Sequence, residues 1–145
     1  MDPIRISKTP LPSLEDILDL YGDAGWLAYT RDPQKLDLAI QNSLQVLTAW
    51  DGARLVGLIR AVGDVYSILY IQDILVLKAY KRRGIGRKLM QEMLSLYPDI
   101  RQTVLLADES EESRGFYEAL GFSSCDQGKT VAFVLFREVP GQGSN

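Results

Sequence analysis

Histidine is absent from the 145 residues, and that absence excludes more chemistry than any other feature. A Ser-His-Asp or Cys-His nucleophilic site cannot be assembled from this chain, and neither can a histidine-based zinc site. General acid-base work would fall to carboxylates, tyrosine, lysine or water. There is one cysteine, Cys125. It permits no internal disulfide and no cysteine-rich metal site, so a reducing cytoplasm is the expected setting and no metal is expected. Cys125 also lies past a helix end with no histidine to activate it, which makes it a poor nucleophile. No stretch approaches the ~20 apolar residues of a membrane span, and MDPIRISKTP lacks a signal-like apolar core. No membrane partner is expected. The formal net charge of −3 argues against general nucleic-acid binding.

What is present suits one globular domain, expected over residues 1–139, with a short tail at 140–145. The residue order predicts a strand at Ile4–Ser7. A helix follows, capped by Ser13, with Leu14, Ile17, Leu18 and Tyr21 on one face and Gly22 and Gly25 at its end. Asp32 and Pro33 start a second helix, with Leu36, Ala39, Ile40 and Leu44 as its stripe. LQVLTAWDGARLVGLIRAV reads as a hairpin turning at Asp51-Gly52. After a turn at Gly63-Asp64, YSILYIQDILVL reads as a central strand. GRKLMQEMLSLY is a helix, and QTVLLA is a strand. DESEESRGFYEALG is a helix opened by Asp108, with Phe116, Ala119 and Leu120 in the core. FSSC and VAFVLFRE complete the set as strands. The sum is a mixed α+β fold of about seven strands and four helices, with one parallel crossover.

The junction LVLKAYKRRGIGRKLM places Gly84-Ile85-Gly86 where a helix begins, ringed by Lys81, Arg82, Arg83, Arg87 and Lys88. A helix start leaves backbone N–H groups free and favours an anion. Glycine lets a phosphate approach the backbone. The turn is not a Walker A loop, since Gly86 precedes Arg87-Lys88-Leu89. It is not a Rossmann fingerprint either, since Leu89 stands where a third glycine is needed. A plain glycine turn with solvated basic residues fits the stretch equally well. Downstream, Ser110, Ser113 and Tyr117 share a helix face distinct from the core stripe. Alone, that tyrosine would read as half-buried packing.

Together, the two stretches resemble the GNAT-type N-acetyltransferase superfamily. Lys81-Arg82-Arg83-Gly84-Ile85-Gly86 is similar to its [Q/R]-x-x-G-x-[G/A] turn, with lysine in place of the usual arginine or glutamine. Phe116-Tyr117-Glu118-Ala119-Leu120-Gly121-Phe122 is similar to its F-Y-x-x-x-G-F helix end. The motifs stand in order, about thirty residues apart, and the element order agrees over roughly residues 4–138. The resemblance implies a GNAT-like fold with strands splayed at the cofactor site and acetyl-CoA as co-substrate. It implies that the backbone of Ile74, Leu75 and Val76 pairs with the pantetheine arm. Arg82, Arg83, Gly84, Ile85, Gly86 and Arg87 would hold the pyrophosphate. Ser110 stands where many members place a CoA-contacting asparagine. Tyr117 would donate a proton to the departing thiolate during direct attack by a primary amine.

Asp73, an ionisable group inside an apolar strand, has two readings. It could take the amine proton as the general base, or it could cap a bulge or pair with an arginine. The resemblance places the acceptor site at the segment joining the first two helices, where Asp23, Trp26 and Tyr29 could line a substrate pocket. The alternative for Trp26 is packing against the sheet. The expected partner is a small-molecule amine, with a second, fainter resemblance to the arylalkylamine branch. The family allows a homodimer. Three other readings remain: acetylation of a protein N-terminus or lysine, a non-catalytic acyl-CoA sensor, and a nucleotide-binding module.

Overall fold

The structure, a computed structural model, describes residues 3–137. Chain order begins with β1 (Arg5–Ser7) and three helices, α1 (Leu14–Asp23), α2 (Leu27–Thr30) and α3 (Pro33–Gln41). Of these three, α1 and α3 each start where a side chain satisfies a free amide. Ser13 Oγ accepts from Asp16 N–H at 3.1 Å, and Asp32 Oδ1 accepts from Lys35 N–H at 3.2 Å. Ile17, Leu20 and Tyr21 of α1 and Leu36 and Ile40 of α3 are buried. The single-turn α2 sits inside the segment expected to join two helices directly.

Three long antiparallel strands follow or flank this layer: β2 (Gln45–Asp51), β3 (Arg54–Gly63) and β4 (Ile68–Val76). The β2–β3 hairpin closes with Asp51 opposite Arg54 and Gly52 at φ 59°. Before β4, the Asp64 carboxylate accepts the amides of Tyr66, Ser67 and Ile68 and shapes the turn. In β3 and β4, Arg60 faces Asp73 but Ala61 faces Ile71, so Gln72 is a bulge residue. Then come α4 (Ile85–Leu96), β5 (Gln102–Leu105) and α5 (Glu111–Ala119), with single 3₁₀ turns at Lys78–Tyr80 and Cys125–Gln127.

The sheet order is β1-β2-β3-β4-β5, and only β4–β5 is parallel. Helices cover both faces. A Cβ on Gly57 of β3 would press on Leu89 at 3.2 Å and Ile85 at 3.3 Å, so that face carries α4. Three residues on, Arg60 points to the opposite face and meets Asp73, which also binds Tyr21 of α1. Among the described residues no helix is long and apolar enough to cross a membrane.

Five expectations are corrected. Five strands form among the described residues rather than seven. The expected strand at 122–125 ends in the 3₁₀ turn Cys125–Gln127. Residues 131–137 form no regular secondary structure and are exposed. Apolar alternation marks a segment able to join a sheet, but a strand also needs a ladder partner. The last residue of that expected strand, and the tail at 140–145, lie outside the described residues. Finally, α5 is capped by Ser110, whose Oγ accepts from Ser113 N–H at 3.1 Å, rather than by Asp108. Its expected core stripe is only half-buried at Phe116 and Leu120, and Ala119 is exposed, because no layer covers α5 on its outer side.

Candidate active site

The parallel β4–β5 pairing covers only Ile68–Ile71 against Gln102–Leu105. Beyond Ile71, β4 runs on to Val76 with β3 on one side and, among the described residues, no strand on the other. The gap opens into a cleft of about 570 Å³. One wall is Ile74, Leu75 and Val76. The floor is the turn from Lys81 to Arg87, and the opposite wall is α5 with Ser110, Phe116 and Tyr117. A strand edge without a partner offers backbone N–H and C=O groups, which suits an amide-bearing ligand.

The turn is built for an anion. Arg82 and Gly84 both have positive φ, 66° and 78°. Gly84 is the N-cap of α4 and supplies no side chain to its first-turn amides, and the first intrahelical bond runs from Lys88 N–H to Gly84 O. Those amides are left to water or to an anion. Lys81, Arg82 and Arg87 line the same volume and add positive charge.

The two glycines have different reasons. A Cβ at Gly84 would meet nothing within 4 Å, so only its left-handed backbone calls for glycine. A Cβ at Gly86 would lie 3.3 Å from the Phe116 ring, so Gly86 admits α5 against α4. Gly84→Ala is therefore expected to cost about 1–2 kcal/mol through backbone strain. Gly86→Ala instead pushes α5 away and should widen the cleft. Thermal unfolding of both variants, with CoA titration by calorimetry, separates the two effects.

Tyr117 projects into the cleft half-buried, edge-on to Phe116 at 5.0 Å and to Phe122 at 5.9 Å. Its pKa is raised, first by burial and then by the charge of Asp108. The phenol therefore holds its proton throughout the physiological range.

Asp73 does not line the cleft. It lies on the α1 face, 2% exposed. Its Oδ2 accepts from Arg60 Nε at 2.5 Å and Tyr21 O–H at 2.8 Å, and its Oδ1 accepts from Tyr29 O–H at 2.9 Å. Burial works against the Arg60 charge, but Asp73 outweighs it and Arg60 is held above its ordinary pKa. Tyr21 and Tyr29 are both raised, by burial first and then by the Asp73 charge. Of the two readings open for Asp73, pairing with an arginine opposite a bulge is what the geometry gives.

The remaining expected residues divide. Trp26 reaches the cleft while packing edge-on to Tyr21 at 5.7 Å. Tyr29 lies behind it, with its hydroxyl engaged by Asp73 and Gln72. Asp23 accepts the Lys78 amide at 2.8 Å and fastens the end of α1 to the turn after β4. Arg83 stacks over Tyr80 at 4.8 Å, and Arg54 lies over the same ring at 5.5 Å. Neither Asp23 nor Arg83 lines the cleft. Sequence reasoning passed over Arg60 and Tyr21. The available signal was a second isolated charge, Arg60 in LVGLIRAV, one strand away from Asp73. Lys78, Tyr80, Asp108 and Glu112 also line the cleft.

Residues 17–138 match the model of the acetyltransferase (GNAT) domain. The chain belongs to the GNAT acetyltransferase family. A GNAT-family acetyltransferase of Streptococcus pneumoniae TIGR4 is 36% identical, superposes with a TM-score of 0.84, and is aligned over 94% of this chain and all of that one. An uncharacterized N-acetyltransferase, ycf52 of Gracilaria tenuistipitata var. liui, is 28% identical over 125 residues. That alignment takes in 82% of this chain and 66% of the relative. The structure of AAC(6')-Iy in complex with the bisubstrate analogue CoA-S-monomethyl-acetylneamine shares the fold at 16% identity, with a TM-score of 0.70 over 95% of this chain and 99% of that one. The chain thus carries a GNAT acetyltransferase domain, with a β4 edge that splays from β5.

Proposed function

We propose that this GNAT domain transfers an acetyl group from acetyl-CoA to a small primary amine by direct attack within a ternary complex. The observation that carries this reading is one shared cleft. It brings together the free edge of β4, the uncapped start of α4 and the Tyr117 ring. The residues present fit the cofactor: positive-φ backbone at Arg82 and Gly84, cations at Lys81, Arg82 and Arg87, and an unpaired strand edge at Ile74–Val76. Acetyl-CoA supplies the activated thioester.

The chain's own groups divide the remaining work. First-turn amides of α4 and the basic rim hold phosphate charge. Backbone groups of Ile74, Leu75 and Val76 align the extended arm. A backbone N–H near Val76 stabilises the developing oxyanion. Tyr117 keeps its proton for the leaving sulfur. Asp73 is not assigned the base role, because its oxygens are occupied by Arg60, Tyr21 and Tyr29 away from the cleft. The amine proton leaves to water in the open cleft. Trp26 gives the acceptor's apolar body a surface.

Thiol release from acetyl-CoA, measured across a panel of amines, tests the reading, with calorimetry on CoA alongside. Amine-dependent release is expected. CoA binding with no release on any amine, peptide or lysine would leave only the acyl-CoA sensor. Failure to bind CoA would remove both.

A further inference from the structure

Helix α2 is a single turn, and none of its four residues is buried. A helix that short does not hold itself in water, and its N-cap, Trp26, makes no side-chain capping bond. Three polar ties from α2 to the sheet converge on one atom, the Tyr29 hydroxyl oxygen. It donates to Asp73 Oδ1 at 2.9 Å and accepts from Gln72 Nε2 at 3.1 Å, both on β4. Arg60 of β3 donates Nη2 to it at 3.4 Å, with the guanidinium 5.7 Å from the ring centre.

That hydroxyl stands behind a ring that faces the cleft. Trp26 lines the larger cleft, and Tyr29 does not. The Trp26 and Tyr29 ring centres are 6.0 Å apart, and Tyr21 completes a triangle, edge-on to Trp26 at 5.7 Å and to Tyr29 at 5.3 Å. Rings packed in this way pass on a displacement, because a dense interior leaves no gap to absorb it. On the other flank of Trp26, Asp23 Oδ2 accepts the Lys78 amide at 2.8 Å. Trp26 therefore sits between two anchors, one at the end of α1 and one through α2.

We propose that Tyr29 is a positioning residue for the acceptor: tied to Asp73 and Gln72, it holds α2 on β4 and so sets where the Trp26 ring stands in the cleft. The role rests on the acetyl-transfer reading, in which Trp26 is the surface for the acceptor's apolar body. It gives the buried Arg60–Asp73 pair a use at a site that Asp73 does not enter. Asp73 orients the hydroxyl, Tyr29 carries its neighbour's ring, and Trp26 meets the acceptor. The turn from Arg82 to Arg87 lies outside that chain of contacts. Loss of the hydroxyl should therefore fall on the amine and spare the cofactor, since small misplacements of a positioning group act on the reactant it holds.

The chain has two tryptophans, so Trp50→Phe leaves Trp26 as the sole emitter. In that background Tyr29→Phe keeps the ring and removes the tether. Trp26 emission is expected to shift to the red and to be quenched more readily by acrylamide. The KM for the amine should rise about three- to tenfold, the size of one net hydrogen bond, with kcat and the KM for acetyl-CoA nearly unchanged. Tyr21→Phe is the control. It also takes one hydroxyl from Asp73, at the Oδ2 that keeps Arg60, but it frees no part of α2. It should lower the melting temperature and move neither readout. An unshifted Trp26 in Tyr29→Phe overturns the proposal, and so does a shifted Trp26 with an unchanged amine KM. Equal rises in amine KM in both variants would mean general loosening, which also overturns it. If no amine drives thiol release in the parent, the acetyl-transfer reading falls by itself, and Trp26 emission still decides the tether.

Discussion

Replacing Asp73 by asparagine is expected to destabilise the fold by about 3–5 kcal/mol, a fall of roughly 10–15 °C in melting temperature. The carboxylate is shared by the Arg60 guanidinium and the hydroxyls of Tyr21 and Tyr29, inside the layer between the sheet and α1. Arg60 is itself only 5% exposed. Removing the negative charge leaves a cation buried without its counterion, and that is the expensive way to break a buried pair. Replacing both partners with apolar residues, Arg60→Met with Asp73→Leu, should recover much of the loss, because no charge then remains to desolvate. Thermal unfolding of the single and double variants checks both statements. A variant Asp73→Asn that melts like the parent but transfers no acetyl group would return Asp73 to the general-base role.

Tyr117→Phe is expected to lower the turnover rate about tenfold to a thousandfold while leaving CoA affinity nearly unchanged. The ring remains to pack between Phe116 and Phe122, and only the hydroxyl proposed as proton donor is lost. The loss is modest because a thiol, with a pKa of about 8.5, leaves more readily than the phenol gives up its proton. The sign of the pH dependence follows from the raised phenol pKa. A group held above its ordinary value stays protonated through that value, so Tyr117 should produce no alkaline fall below about pH 10. The rate should instead rise with pH as the amine acceptor loses its proton, in parent and variant alike. Full activity in Tyr117→Phe would end the assignment. So would an alkaline fall below pH 10 that disappears in the variant.

The core of the fold was legible because its signals are local. Ser13 and Asp32 cap helices where their side chains reach an amide three residues on. The Asp51-Gly52 turn fixed the β2–β3 hairpin. The cleft was legible because a glycine turn and a helix tyrosine, spaced as the family spaces them, both line it. Other features depend on what the chain meets in space. Asp73 is the same residue whether it faces a cleft or Arg60, and only the bulge decides between them. Arg83 sits in the basic run with Arg82, yet it stacks on a tyrosine while Arg82 lines the cleft. Residues 131–137 have the composition of a strand, but composition cannot supply the ladder partner a strand needs.

Gln72 has a consequence beyond its own position. Because Ala61 faces Ile71 while Arg60 faces Asp73, the surplus residue resets the phase of β4 halfway along its length. Leu69 and Ile71 belong to the α4 layer, while Asp73 and Leu75 belong to the α1 layer, although all four have odd numbers. One strand therefore keeps its charge in the polar network and its apolar residues in both cores. Substituting Gln72 alters one exposed side chain. Deleting it would bring the strand back into a single phase, sending either the aspartate or the leucine and isoleucine to the wrong layer. For this molecule the length of YIQDILV constrains the fold more tightly than the identity of its bulged residue.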